Sequence, residues 1–230
     1  MKTAPRILFL LSVISFLSLS TFGEDATNYN NSGLVKADKG DAEGAIADFN
    51  KAIELKPDFA EAYYNRGYTR QLKGEADNAV ADVTKAIELK PNSPDAYAEN
   101  GFLKQVKGDL GGALADYNKA IELKPDNARV YFNRGLLKTG MSDLDGAISD
   151  FTKVIGFKSD YFPAYYHRGV TKQSKGDLDG AISDFTKVIQ LKPELAAAYH
   201  HRGLAKKAKG DLDGSKADLS KAEELILKRH

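Results

Sequence analysis

Apolar and polar positions in residues 60–93, AEAYYNRGYTRQLKGEADNAVADVTKAIELKPNS, fall into two helical stretches separated by a turn. With Ala60 as position 1, small or apolar residues at positions 3, 4, 8 and 10 share one helical face. Ala79, Val80, Val83, Ala86 and Ile87, at positions 20, 21, 24, 27 and 28, share another. Between them, Lys73-Gly74-Glu75 carries the chemistry of a helix stop followed by a helix start. Lysine complements the negative end of the first helix, and glycine accepts the left-handed conformation that ends it. The acidic residue caps the next helix by accepting from its free N–H groups. Pro91 at position 32 cannot continue that helix. The stretch therefore predicts a helical hairpin.

The pattern recurs six times without insertion. Gly33, Gly67, Gly101, Gly135, Gly169 and Gly203 stand at position 8, with a tyrosine four residues before and an aspartate fifteen residues after each. The copies are 26–59, 60–93, 94–127, 128–161, 162–195 and 196–229. A fixed period of this length means one supersecondary unit, copied and stacked. Position 19 is also glycine in five copies (Gly44, Gly112, Gly146, Gly180 and Gly214). Each should cost its helix about 1 kcal/mol relative to alanine, and close packing at the hairpin is the expected reason. Gly140, Ser142, Gly156 and Ser159 depart from the pattern, with Gly140 ending its helix early and Gly156 interrupting the next. They predict a soft seam between copies four and five.

The repeat resembles the tetratricopeptide repeat (TPR) over residues 26–229. The family's aromatic 4, Gly 8, Ala 20, aromatic 24, Ala 27 and Pro 32 fall on Tyr97, Gly101, Ala113, Tyr117, Ala120 and Pro125 in copy three. The resemblance implies an all-α, right-handed superhelical solenoid of six helix-turn-helix repeats. Two departures stand out. Position 7 is Arg66, Arg134, Arg168 and Arg202 instead of leucine, and position 11 is Lys or Arg in every copy. The arginines are expected to pair with the recurring aspartates as Arg66–Asp82, Arg134–Asp150, Arg168–Asp184 and Arg202–Asp218, since a guanidinium fork suits a carboxylate. Ser32 and Asn100 take the arginine's place in copies one and three.

Residues 1–23 lie outside the array. Lys2 and Arg6 precede an apolar run from Ile7 to Leu19, followed by Thr21-Phe22-Gly23. This is the layout of a signal peptide, with cleavage expected after Gly23 or, as second choice, Ser20. The apolar run is short of the ~20 residues a spanning helix needs. The expected product is a secreted or periplasmic domain, 24–230; the alternative is an N-terminal membrane anchor. The chain has no cysteine, which excludes a lipoprotein anchor and disulfides. Without Lys2 and Arg6 the net charge is about −1. Lysines alternate with acids at helical spacing and form no basic stripe, so nucleic acid is not an expected partner.

Catalysis finds little support. The histidines are His167, His200, His201 and His230, and no cysteine or carboxylate completes a metal set. His167 and His201 occupy position 6 of neighbouring copies and are read as structural or partner contacts. No cofactor is expected. Only Glu61 and Asp95 could supply an acidic pocket.

The family resemblance implies a concave groove lined by positions 2, 5, 9 and 12 of the first helices. Carried over, these positions make Tyr64, Tyr68, Gln71, Phe102, Gln105, Phe132, Tyr166, Gln173 and His200 the candidate binding residues. Tyr64, Phe102, Phe132 and Tyr166 suggest an aromatic ladder. The glutamines suit a peptide backbone, as do Asn65 and Asn133 at position 6. The carboxylate clamp of chaperone adaptors, built from Lys 5 and Asn 9, Asn 6, then Lys 2 and Arg 6 of successive copies, is absent as a set. The expected function is a non-catalytic adaptor or assembly factor that binds a protein or extended peptide in the groove. The alternative is a membrane-tethered scaffold that holds partners on its convex faces. Polar or charged Ser215, Lys216 and Glu223 at positions 20, 21 and 28 of copy six predict a capped, monomeric array.

Overall fold

A computed structural model describes residues 24–228. The leader and its cleavage site, together with residues 229–230, lie outside the described residues. The described chain is all-α, with twelve helices paired into six hairpins. It divides after Leu123 into two compact units of three hairpins each. Unit 1 holds α1 (24–38), α2 (Ala42–Leu55), α3 (Ala60–Leu72), α4 (Ala76–Leu89), α5 (Pro94–Val106) and α6 (Leu110–Leu123). Unit 2 holds α7 (Ala128–Gly140), α8 (Leu144–Phe157), α9 (Phe162–Lys175), α10 (Leu178–Leu191), α11 (Ala196–Ala208) and α12 (Leu212–Leu227).

The hairpin closes on position 8. A Cβ built on Gly135 would lie 2.8 Å from the Phe151 ring, so only glycine lets the two helices meet around that aromatic. Phe49, Tyr117, Phe151 and Phe185 at position 24 are fully buried, as are the position-20 alanines between them and the turn. Burying each ring contributes about 1.5–3 kcal/mol. The turn glycines adopt the expected positive φ, for example +88° at Gly176. In copy four Ser142 is held at φ +63° instead, a conformation that costs a side-chain-bearing residue roughly 1–2 kcal/mol.

Position 19 has a different explanation from close helix packing. Asp41, Asp109, Asp143, Asp177 and Asp211 each accept, through Oδ1, from the backbone N–H of the glycine three residues on, at 2.9–3.0 Å. The other carboxylate oxygen then lies where that glycine's Cβ would be. The cap and a side chain at position 19 exclude one another. Copy two follows the same logic in reverse: Asn78 stands at position 19, and Glu75 makes no side-chain cap bond.

The four arginine–aspartate pairs form as two-point bonds. Arg168 donates from Nε to Asp184 Oδ2 at 2.9 Å and from Nη2 to Oδ1 at 2.7 Å, and the other three pairs repeat the arrangement. The cation at position 11 completes each cluster, as Lys172 does at 2.9 Å from Asp184. Asp184 is only 3 % exposed, so these are not the half-solvated pairs of an ordinary surface. Removing one member of such a buried set typically costs about 3–5 kcal/mol. The arginine also lies over the tyrosine at position 4, 5.6 Å from ring to guanidinium for Tyr165 and Arg168. In copies one and three, Ser32 and Asn100 make single bonds to Asp48 and Asp116.

The same arginine ties neighbouring hairpins together. Arg66 Nη1 donates to Asn50, Arg168 Nη1 to Thr152 and Arg202 Nη1 to Thr186, each on the preceding second helix. Lys73–Glu43 and Lys107–Asp77 join successive turns in unit 1, as Lys175–Asp145 and Lys209–Asp179 do in unit 2. These ties explain why position 7 is charged here.

Two local expectations change. The helices α7 and α8 run 13 and 14 residues, the lengths of α3 and α10, so Gly140 and Gly156 break neither. Packing against neighbouring helices outweighs a propensity cost near 1 kcal/mol per glycine. In copy six, Ser215 is buried inside its own hairpin, as every position-20 alanine is. Of the three, only Lys216 and Glu223 lie exposed on α12.

Candidate functional site

In unit 1, the first helices α1, α3 and α5 carry Leu34, Tyr68 and Phe102 at position 9. Tyr68 is 43 % and Phe102 36 % exposed. Leu72 and Val106 at position 13, one turn further along α3 and α5, are 68 % and 63 % exposed. Residues four apart share a helix face, so the two rows form one apolar stripe over the ends of adjacent helices. Gln71 and Gln105 at position 12 accompany it. Gln71 Oε1 is buried without a hydrogen-bond partner, whereas Gln105 Oε1 accepts from Tyr117 Oη at 3.0 Å within its hairpin.

Tyr64 has a different environment. It is half-buried against Ala79, Val83, Ala96 and Leu103, and its outer edge lines a cavity of about 290 Å³. Asn65 on the same cavity donates to Asn30 at 2.9 Å. Glu61 and Asp95 also line it, but Glu61 bonds Lys90 at 2.7 Å. That lysine holds the Glu61 carboxyl below its ordinary range, the opposite of what a general acid requires.

Unit 2 places its aromatics differently. On α7, α9 and α11 they meet edge to face in an unbroken run. Phe132 touches Tyr161 at 5.5 Å and His167 at 5.5 Å between ring centres. Tyr166 lies between His167, at 5.5 Å, and His201, at 5.6 Å. His201 reaches exposed His200 at 5.9 Å and shares Gln173 Oε1 at 3.3 Å through Nδ1. The two position-6 imidazoles are thus not side by side: Tyr166 separates them. Each stacks on the position-24 ring of the preceding hairpin, His167 on Phe151 and His201 on Phe185.

Burial lowers the pKa of both imidazoles, with His200 adding to the effect at His201, and burial raises that of Tyr166. Phe132, Tyr166 and Gln173 are half-buried, and much of their surface joins successive hairpins. Among the described residues, no cluster of His, Cys, Asp or Glu could hold a metal. No described helix is long and apolar enough to cross a membrane.

A second cavity, of about 380 Å³, opens on unit 2 between Arg129, Phe132, Asn133, Lys158 and Tyr161. The residues not anticipated from sequence are Leu34, Leu72 and Val106 in unit 1, and Lys158 and Tyr161 in unit 2. The clue at position 13 was compositional. Other copies carry Asp38, Gly140, Ser174 or Ala208 there, so Leu72 and Val106 are exceptions.

The chain matches two family models. One, described as TPR repeat, covers residues 33–74 and 107–140. The other, described as Tetratricopeptide repeat, covers 60–93, 128–161, 162–195 and 196–228. Among solved structures, MamA is 28% identical with a TM-score of 0.69, covering 71% of this chain and 95% of that one. YrrB, a TPR protein with an unusual peptide-binding site, is 24% identical with a TM-score of 0.71, covering 77% and 91%. Pseudomonas aeruginosa pilF is 19% identical with a TM-score of 0.72, covering 86% and 90%. The last two likenesses show the fold alone. No curated protein sequence matches the chain significantly.

Proposed function

From the premise that the chain belongs to the tetratricopeptide repeat family, and is a non-catalytic protein-interaction scaffold, we propose that it works as an adaptor or assembly factor. Its first-helix face binds an extended segment of a partner protein. One observation carries this reading: the apolar stripe of Leu34, Tyr68, Leu72, Phe102 and Val106 in unit 1 is left in water. Soluble proteins rarely leave contiguous apolar surface of that kind exposed without a partner for it. Tyr68 and Phe102 supply flat contact area for such a segment. YrrB's peptide-binding site, on the same fold, agrees with this reading.

The leader of Lys2, Arg6 and Ile7–Leu19 supports delivery to a secreted or periplasmic location, and sequencing the mature N-terminus tests it. A second reading, partners held on the outer second-helix faces, draws on a hollow of about 530 Å³ beside exposed Phe157 on α8.

The experiment is selection from a random peptide library displayed on phage, followed by titration of a selected peptide. In a Tyr68→Ala, Phe102→Ala double variant, affinity should fall roughly 30-fold or more, the loss typical of hot-spot aromatics. Both side chains are exposed, so the variant should still melt cooperatively. Full binding by the folded double variant would move the site off this stripe and favour the outer faces.

A further inference from the structure

The cavities of the two units occupy the same place in the repeat and differ in charge. In unit 1 the residues at positions 2, 5, 6 and 31 are Glu61, Tyr64, Asn65 and Lys90; in unit 2 they are Arg129, Phe132, Asn133 and Lys158. The first cavity has two carboxylates, Glu61 and Asp95, against one lysine, which Glu61 already engages at 2.7 Å. The second has no carboxylate in its lining, and Lys158 has no acidic partner at salt-bridge distance among the described residues. Substituting Arg129 for the acid at position 2 removes the group that neutralises the equivalent lysine in unit 1. Asn65 is committed to Asn30, whereas Asn133 makes no side-chain bond within the described chain. The floor is the edge-to-face pair Phe132 and Tyr161, with Tyr161 37 % exposed.

We propose that the unit 2 cavity is a subsite for an anionic side chain of the partner segment, flanked by an apolar neighbour. This rests on the reading that the first-helix face binds a peptide. Lys158 Nζ and Asn133 Nδ2 donate to the anion, and the apolar neighbour packs on Phe132 and Tyr161. Charge-assisted bonds to a carboxylate or phosphate are the strongest a lysine makes, and a partly open cavity keeps its desolvation cost moderate. A volume of about 380 Å³ accommodates such a pair of side chains. Both donors come from a single hairpin, unlike the carboxylate clamp, which draws on three successive copies.

The test uses full-length protein and short fluorescein-labelled peptides with a central glutamate between two isoleucines. The controls carry glutamine, lysine or phosphoserine at the centre, and an amidated C-terminus separates side-chain from terminal carboxylate. The glutamate peptide should bind roughly fivefold more tightly than the glutamine peptide, and its advantage should shrink with added salt. Lys158→Glu should invert the preference towards the lysine peptide, and Lys158→Gln should abolish it. Lys158 is exposed, so neither variant should lower the melting temperature. Tighter binding of phosphoserine than glutamate would identify a phosphorylated segment as the occupant, and loss on amidation a chain terminus. Equal binding of the glutamate and lysine peptides, an unchanged preference in Lys158→Glu, or no binding of any peptide at millimolar concentration would overturn the proposal. A Phe132→Ala variant separates the two readings. If it weakens all peptides alike while charge makes no difference, the binding face stands and only the anionic subsite falls.

Discussion

The glycine at position 19 and the aspartate at position 16 should act as one unit, and Gly180 with Asp177 is a clean place to measure it. Replacing Gly180 with alanine adds helix propensity worth about 1 kcal/mol. The new Cβ, however, occupies the space of the Asp177 carboxylate, whose Oδ1 accepts from Gly180 N at 2.9 Å. The carboxylate must swing out, and the cap, worth about 1 kcal/mol, is lost. Gly180→Ala alone should therefore change stability by less than about 0.5 kcal/mol. Asp177→Ala alone should cost about 1 kcal/mol. In the Asp177→Ala background the obstruction is gone, and Gly180→Ala should recover about 1 kcal/mol. The coupling energy of the cycle is then about 1 kcal/mol, read from urea unfolding followed by far-UV circular dichroism. If alanine at position 180 stabilises both backgrounds equally, the cap does not account for the glycine. Copy two is a further check: Asn78→Ala adds a few tenths of a kcal/mol of helix propensity but removes the bond from Asn78 to the Glu75 carboxylate, so its full gain should appear only in a Glu75→Ala background.

Two more predictions follow from local geometry and titration. Ser142→Gly should stabilise the protein by roughly 0.5–1 kcal/mol, because Ser142, alone among the described non-glycine residues, is held at positive φ; a destabilised variant would show that its side chain contributes more than the strain. Stability should fall in two stages with acid. Burial depresses the pKa of His167 and His201 below 6.5, so the unfolded chain binds the extra protons; their contribution is complete above about pH 6.5 and is lost as pH falls through the folded values. Asp48 and Asp218 lie below 3.8 despite the opposing effect of burial, because Lys36 and Ser32, and Arg202 and Lys206, bond them; their contribution is lost below about pH 4. Equilibrium unfolding between pH 8 and pH 3 measures both stages, and a flat profile between pH 7.5 and pH 5 would refute the first.

Much of the chain was legible because its information is local and repeated. The hairpin, its turn and its register follow from the Gly-plus-acid turn, the 3.6-residue apolar period and the 34-residue recurrence, each involving residues close in sequence. The arginine–aspartate pairs were also readable, since sixteen residues of a hairpin bring positions 7 and 23 to one level in every copy. What sequence could not supply was the degree of burial. Asp184 at 3 % exposure turns a surface-type ion pair into a buried cluster, and only packing of the neighbouring hairpin decides that.

The candidate site shows the same division. Periodicity placed Tyr64, Phe102, Phe132 and Tyr166 on the first-helix face, but sequence treats these rings as equivalent. Tertiary packing separates them. Phe102 keeps about a third of its surface exposed, in the same row as Tyr68 and one turn from Val106, while Tyr64, Phe132 and Tyr166 spend much of their surface joining helices. Position 6 histidines became ring-stacking partners only because the preceding hairpin presents Phe151 and Phe185 to them. The sequence by itself determined the repeat, its helices and its caps, because those depend on backbone geometry over a few residues. Which aromatic faces water was decided where neighbouring copies meet, and which lysine keeps its charge unneutralised by whether the two ends of one hairpin, about thirty residues apart, bring an acid to it.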